Sequence, residues 1–73
     1  MQKSMLAATL VHADRIRSFQ VRPAAQFGWE ASSLENQRIL HQRFYSDWHR
    51  VELMLNRYVQ EITALKEQGW REI

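Results

Sequence analysis

Apolar residues in the second half of the chain recur at alternating spacings of three and four residues. This spacing places them on one face of an α-helix, and neither proline nor glycine interrupts the chain from Leu34 to Gln68. The pattern therefore predicts one long helix with a heptad-patterned apolar seam. The seam consists of His41, Phe44, Trp48, Val51, Leu55, Tyr58, Ile62 and Leu65.

The N-terminal part of the chain is predicted to form a shorter helix. Between Lys3 and Gln20 the apolar residues fall within roughly half of a helical wheel. Pro23 and Gly28 then mark a tight connection. Ser32-Ser-Leu-Glu35 has the spacing of a capping box, in which serine and glutamate side chains satisfy free backbone N–H groups at a helix start.

These elements predict an all-α fold in a single small helical domain over residues 1–73. A short amphipathic helix, a tight Pro/Gly connection and one long heptad-patterned helix would form a helical hairpin that assembles into a bundle. Gly69 is expected to end the long helix. Ser46-Asp47 offers another starting point, because it can cap a helix that begins at Trp48, but the undisturbed apolar phase favours continuity.

Self-association follows from the length of the predicted helix. At about 1.5 Å per residue it would extend about 50 Å, which is more than the first helix can cover. The uncovered part of the seam predicts a homodimer, arranged as a coiled coil or four-helix bundle, or else a protein partner. The bulky aromatics of the seam favour the four-helix bundle over a simple parallel two-stranded zipper, and the sequence does not distinguish parallel from antiparallel assembly.

Composition limits the function more than it defines it. The chain has 73 residues, no cysteine and a net charge of +2. No run of apolar residues is long enough to span a membrane, and a cytoplasmic location is expected. No nucleophile motif, phosphate-binding loop or metal-ligand spacing occurs, so the sequence predicts a protein that is not an enzyme and that uses no cofactor or metal.

Tryptophan and arginine are the residue types that contribute most often to protein interfaces. Arg43, Arg50 and Arg57 repeat every seven residues on a predicted face away from the seam, although pairing with Asp47 and Glu61 would also explain them. We expect a small regulator or adaptor that binds a larger protein machine, such as transcription or other host machinery. The expected partner-binding residues are Trp29, Arg43, Trp48, Arg50, Arg57 and Trp70.

The alternative is a DNA-binding regulator. Residues 23–38 match the small, apolar and turn-glycine positions of a helix-turn-helix, with Phe27 at one apolar position. The long helix would then serve as a dimerisation arm. The expected DNA-contacting residues are Ser32, Ser33, Asn36 and Arg38.

Overall fold

A computed structural model of the chain describes residues 4–26 and 28–73. Strands predominate within this part, and a single helix follows the first four strands. The elements are β1 (Leu6–His12), β2 (Arg15–Ala24), β3 (Gly28–Glu35), β4 (Arg38–Tyr45), α1 (Trp48–Glu67) and β5 (Arg71–Glu72). The strands form one antiparallel sheet with the order β4-β3-β2-β1-β5.

The predicted all-α helical hairpin is wrong, because its first helix is a β-hairpin. β1 and β2 pair in antiparallel register, with Ala8 opposite Phe19. Leu10 and Phe19 are buried on one side of the sheet. Alternate residues of a strand share a face, so this apolar set satisfies a period of two as well as the broad helical stripe. Lys3, where the predicted helix begins, lies outside the described residues.

The predicted long helix is also wrong over its first half, which forms the β3–β4 hairpin. Its turn is Asn36-Gln37, with φ values of 50° and 68°. Two successive left-handed residues define a type I′ turn, whose twist matches that of paired strands. The serines of the supposed capping box therefore lie in β3, and Phe44 of the seam lies in β4.

The helix begins at Trp48, at the interruption that the sequence left open. Asp47 is its N-cap, and the side chain of Asp47 accepts a hydrogen bond of 3.0 Å from the backbone N–H of His49. At the other end Gly69 adopts a φ of 102°, and the N–H of Trp70 donates to the carbonyl of Leu65 over 3.0 Å. This is the glycine stop that the sequence predicts.

The core lies between α1 and one face of the sheet. The helix buries Val51, Met54, Tyr58, Ile62 and Leu65. The sheet contributes chiefly Leu10, Phe19, Val21 and Ala31. Most of the helical seam therefore packs against the sheet of its own chain, and the predicted coiled coil is wrong. The apolar stripe was real, but a sheet rather than a second helix covers it.

Candidate functional site

The helix crosses the sheet diagonally and leaves one corner of the sheet uncovered. Its first residue, Trp48, contacts Trp29 at the start of β3, with ring centroids 5.3 Å apart. Beyond its last turn, Trp70 stacks on His12 at the end of β1, at 5.6 Å. The corner formed by the end of β3 and the start of β4 lies away from this path.

A cavity of about 200 Å³, which we call the Arg17 pocket, occupies this corner. The sheet and the flank of α1 each contribute part of its wall, and much of the lining is polar or charged. Its lining residues are Arg17, Ser33, Leu40, His41, Met54, Arg57, Tyr58 and Glu61.

Tyr58 and His41 form the polar contact at the wall of the pocket. The hydroxyl of Tyr58 lies 2.9 Å from Nδ1 of His41. Burial raises the pKa of Tyr58 to about 12, with the Ser33 hydroxyl acting in the opposite direction. The phenol is therefore neutral at physiological pH and can donate to Nδ1, and in that tautomer the ring N–H of His41 is on Nε2.

Arg17 is the least satisfied polar group of the site. Its side chain is 17% exposed, and its Nε is buried without a hydrogen-bond acceptor among the described residues. The nearest carboxylate oxygen is Oε1 of Glu35, at 3.9 Å. Arg15 already binds Glu35 through both oxygens, at 2.9 and 3.2 Å. The nearest counterion of Arg17 is therefore distant, and Arg15 binds the same carboxylate more closely.

A second depression continues from the Arg17 pocket towards the start of α1. This depression, the Arg50 notch, has a volume of about 300 Å³ and is lined by Tyr45, Arg50, Leu53, Met54 and Arg57. Met54 and Arg57 line both cavities, so the two cavities adjoin between β4 and the helix. We call the two adjoining cavities the β4–α1 groove.

Arginines of the predicted basic stripe line or border the groove. Arg50 and Arg57 lie on the helix, and Arg43 lies on the helix side of β4, opposite Ala31. In residues 4–26 and 28–73, ion pairs occur at Arg15, Arg17, Arg22 and Lys66 but at none of these three arginines. The alternative explanation of the stripe, pairing with Asp47 and Glu61, is therefore not observed.

The tryptophans expected at an interface separate into two groups. Trp29 and Trp48 contact each other at the start of the helix, and Trp48 is exposed. Trp70 is buried, with the guanidinium of Arg15 over its ring at 5.0 Å. Trp70 thus belongs to the core, whereas Trp48 remains available to a partner beside the groove.

The helix-turn-helix is wrong in its geometry, because its recognition helix is strand β3. Phe27 lies outside the described residues. Ser32 and Ser33 face opposite sides of the sheet, and Ser33 alone lines the pocket. Asn36 serves the turn, where its Oδ1 accepts a hydrogen bond of 2.8 Å from the N–H of Ile16. The structure therefore does not assemble the expected DNA-contacting residues, Ser32, Ser33, Asn36 and Arg38, into one surface.

Sequence reasoning missed Arg17 altogether and placed His41 only in the helical seam. The signal was present in β2, where the core face contains Arg15, Arg17, Phe19 and Val21 in order. Polar residues at one end of an otherwise apolar strand face indicate where the covering element stops. That signal becomes visible only when the segment is recognised as a strand.

The structure gives no support for metal chemistry in the part of the chain that it describes, where no cluster of three or more potential ligands occurs. No helix among residues 4–26 and 28–73 has the length and apolarity needed to cross a bilayer. Comparisons with protein-family models, with curated proteins and with solved structures give no match for the chain.

Proposed function

We propose that the protein is a non-enzymatic binding module whose β4–α1 groove takes an extended acidic segment of a protein partner. The observation that carries the proposal is that three features suited to binding an extended peptide occur together at one edge of the sheet. The outer edge of a terminal strand, an apolar notch and arginines that form no ion pair among the described residues lie side by side there.

The outer edge of β4 provides backbone hydrogen-bonding groups for a partner. β4 is the terminal strand in the sheet order, so one of its edges pairs with no other strand of the described chain. An extended peptide can add to such an edge as a further strand, with its alternate side chains directed towards the helix. This mode of binding selects a polypeptide, because nucleic acid lacks the backbone groups that continue a β-ladder.

The composition of the groove defines the side chains that it would accept. Leu40 and Leu53 are 53% and 58% exposed, so each leaves apolar surface that a partner could cover. Covering each of them would contribute on the order of 1 kcal/mol, since burial contributes about 25 cal/mol per Å² of apolar surface. Arg50 and Arg57 flank the notch and favour acidic residues next to the apolar anchor. The expected segment therefore alternates apolar and acidic residues.

Nucleic acid is the competing ligand, because the same arginines can contact phosphates. The observations favour protein, since the sheet edge and the exposed leucines have no role in contacting a phosphate backbone. The expectation of a larger protein machine as partner remains a prediction, and so does that of a homodimer. The seam that suggested the dimer is largely buried inside one chain, and the outer edge of β4 is one surface on which two copies could pair.

The test begins with selection of peptides from a random display library on the intact protein. We expect enrichment of extended sequences in which Asp or Glu flank Leu, Ile or Phe. Arg50→Glu and Arg57→Glu should each weaken binding of a selected peptide by about tenfold or more, as expected for loss of a charged contact and introduction of repulsion. Fluorescence anisotropy measures the affinities.

Arg71→Glu is the matched control, because Arg71 is exposed on β5 at the opposite edge of the sheet and forms no ion pair among the described residues. It should leave peptide affinity unchanged. Selection of basic or purely polar peptides, or equal effects of all three reversals, would refute the proposal. Two further measurements test the competing hypotheses. Tight, salt-sensitive binding of duplex DNA in the same assay, without peptide binding, would indicate a nucleic-acid-binding protein. Light scattering of the protein alone that shows a dimer, dissociated by Arg50→Glu, would indicate self-association.

A further inference from the structure

We infer that the Arg17 pocket is an oxyanion site that holds one phosphate or carboxylate group. The inference deepens the proposed function and rests on it for the biological source of the anion, which would be a phosphorylated or acidic side chain of the bound segment. The pocket itself can be tested without any peptide. Its failure is therefore distinguishable from failure of the groove.

The donors of the pocket exceed the acceptors that the chain supplies. Arg17 has a buried Nε with no acceptor, although nearly all buried polar groups in proteins are hydrogen-bonded. Arg57 contributes a second guanidinium without an ion pair in the described part of the chain. A planar guanidinium binds carboxylate or phosphate oxygens through paired N–H donors, so two arginines in one cavity favour such a group.

A neutral side chain adds a further donor to the wall. Ser33 is buried and lines the cavity, but its hydroxyl is hydrogen-bonded to Tyr58. His41 also lines the cavity, and its Nδ1 is occupied by the hydroxyl of Tyr58 at 2.9 Å. When Tyr58 donates to Nδ1, the Nε2–H of His41 is left to donate elsewhere. An oxyanion would accept from the Nε2–H of His41 as well as from the arginines.

Glu61 is the one carboxylate that lines the pocket, and it opposes anion binding. With two arginines and one glutamate, the lining keeps an excess of positive charge. Substitution of Glu61 should therefore increase the affinity of the pocket for an anion. Removing the charge of Glu61 leaves the arginines in place and should strengthen anion binding, whereas a purely structural role of Arg17 predicts no change.

The experiment is an NMR titration of the intact protein with inorganic phosphate at constant ionic strength, with acetate as the second probe. We expect saturable shifts confined to Ser33, His41 and neighbouring pocket amides. Arg17→Met should weaken phosphate binding by about tenfold or more, the loss expected for a charged hydrogen bond. Glu61→Gln should strengthen it by about threefold. Arg71→Met, on the opposite sheet edge, is the matched control and should leave it unchanged.

The source of the group is resolved with peptides selected on the groove, prepared with either glutamate or phosphoserine at each acidic position. Tighter binding of one phosphoserine peptide, lost in Arg17→Met, assigns a phosphorylated residue to the pocket. Equal loss for the glutamate peptide in Arg17→Met assigns a carboxylate. Absence of localised phosphate and acetate shifts, or identical affinities in Arg17→Met and Arg71→Met, overturns the inference even when peptide binding to the groove is retained.

Discussion

The face of the sheet under the helix has two regions of opposite character. Where α1 lies above the strands, Leu10, Phe19 and Val21 are almost completely buried. At the corner beyond the helix, the same face presents Arg17, Ser33 and His41 as the lining of a cavity. Both regions belong to one continuous sheet, so strand geometry does not explain the difference. The presence or absence of a covering helix does.

Arg17 and Phe19 make the comparison most direct, because they are two residues apart on β2 and share a face. Phe19 packs against Tyr58 with ring centroids 5.3 Å apart, whereas the Nε of Arg17 lacks a hydrogen-bond acceptor. A fully structural residue has its polar groups satisfied. The covered region therefore maintains the fold, while the polar groups of the open corner are those that we propose for a ligand.

The largest effect is expected in the covered region. Phe19→Ala removes an aromatic ring that is 1% exposed, so we expect a loss of about 3–5 kcal/mol in the free energy of unfolding. A domain of this size would lose most of its stability. Urea denaturation followed by circular dichroism measures the change.

Ile16→Ala is the control on the same strand, where the side chain faces away from the helix and is 47% exposed. We expect it to cost about 1 kcal/mol or less. Equal losses for the two variants would show that the helix does not define the core, and the comparison between the two regions would then fail.

The second-largest effect on stability is expected at Glu30, a hydrogen-bonded carboxylate on the face of the sheet opposite the helix. Glu30 is buried and accepts hydrogen bonds from Gln42 Nε2 at 2.6 Å and from Arg22 Nε at 2.9 Å. The bonds from Gln42 and then Arg22 lower the pKa of the Glu30 carboxyl from its ordinary value. Glu30→Gln should therefore cost about 1–2 kcal/mol at neutral pH, as expected for lost hydrogen bonds to a charged group.

The pH dependence gives the sign of this contribution. Because the pKa of Glu30 is lower in the folded state, the charged carboxylate stabilises the fold above the ordinary glutamate pKa, and this stabilisation is lost as the pH falls through the folded value. Stability curves of wild type and Glu30→Gln should converge in acid. Parallel curves over the whole range would show that the Glu30 contacts do not contribute through the charged form.

The smallest effect is expected at Arg17, and it sharpens the contrast with Phe19. Arg17→Met keeps much of the aliphatic packing and removes a partly buried guanidinium that lies 5.0 Å from the Phe19 ring centroid and 3.9 Å from its nearest carboxylate oxygen. Replacement of such a charge by an apolar side chain is often neutral or stabilising, so we expect the free energy of unfolding to change by no more than about 1 kcal/mol. The same urea titration measures it. A loss of more than about 2 kcal/mol would assign Arg17 to the core and remove the distinction between the two regions.

The sequence predicted the helix far better than the sheet. The spacing of Val51, Tyr58, Ile62 and Leu65 correctly identified the buried face of α1, and Gly69 correctly marked its end. The sequence predicts these features correctly because the periodicity and capping of a helix depend on residues that are close together in the chain.

The strands were missed because their turns carry weak signals. Ala13, Asn36 and Gln37 adopt positive φ without being glycine. Asparagine tolerates this conformation, but alanine and glutamine are unusual in it, so sequence rules favour other structures there. The spacing of three and four residues that marks the apolar face of α1 also continues by chance to Phe44 and His41. These two residues lie on opposite faces of β4.

The site was predicted only in the part that lies along the helix. Arg50 and Arg57 are one heptad apart, so their shared face could be inferred from spacing alone. Arg17, Ser33 and His41 come from three strands, and they meet only through the register that places Ser33 opposite His41 and Phe19. Such a register depends on hairpin turns that the sequence did not reveal.

The short pairing of β1 with β5 has a consequence for the order of folding. The other strand pairs join successive strands, whereas this one brings Leu10 opposite Glu72. Contacts between distant parts of a chain form after local ones, because closing a long loop costs more entropy. The C-terminal segment should therefore dock last and open first, so the amide of Ile73, bonded to the carbonyl of Thr9 at 2.9 Å, should exchange with solvent early. Trp70 provides a fluorescent reporter of that opening at the opposite end of the helix from Trp29 and Trp48.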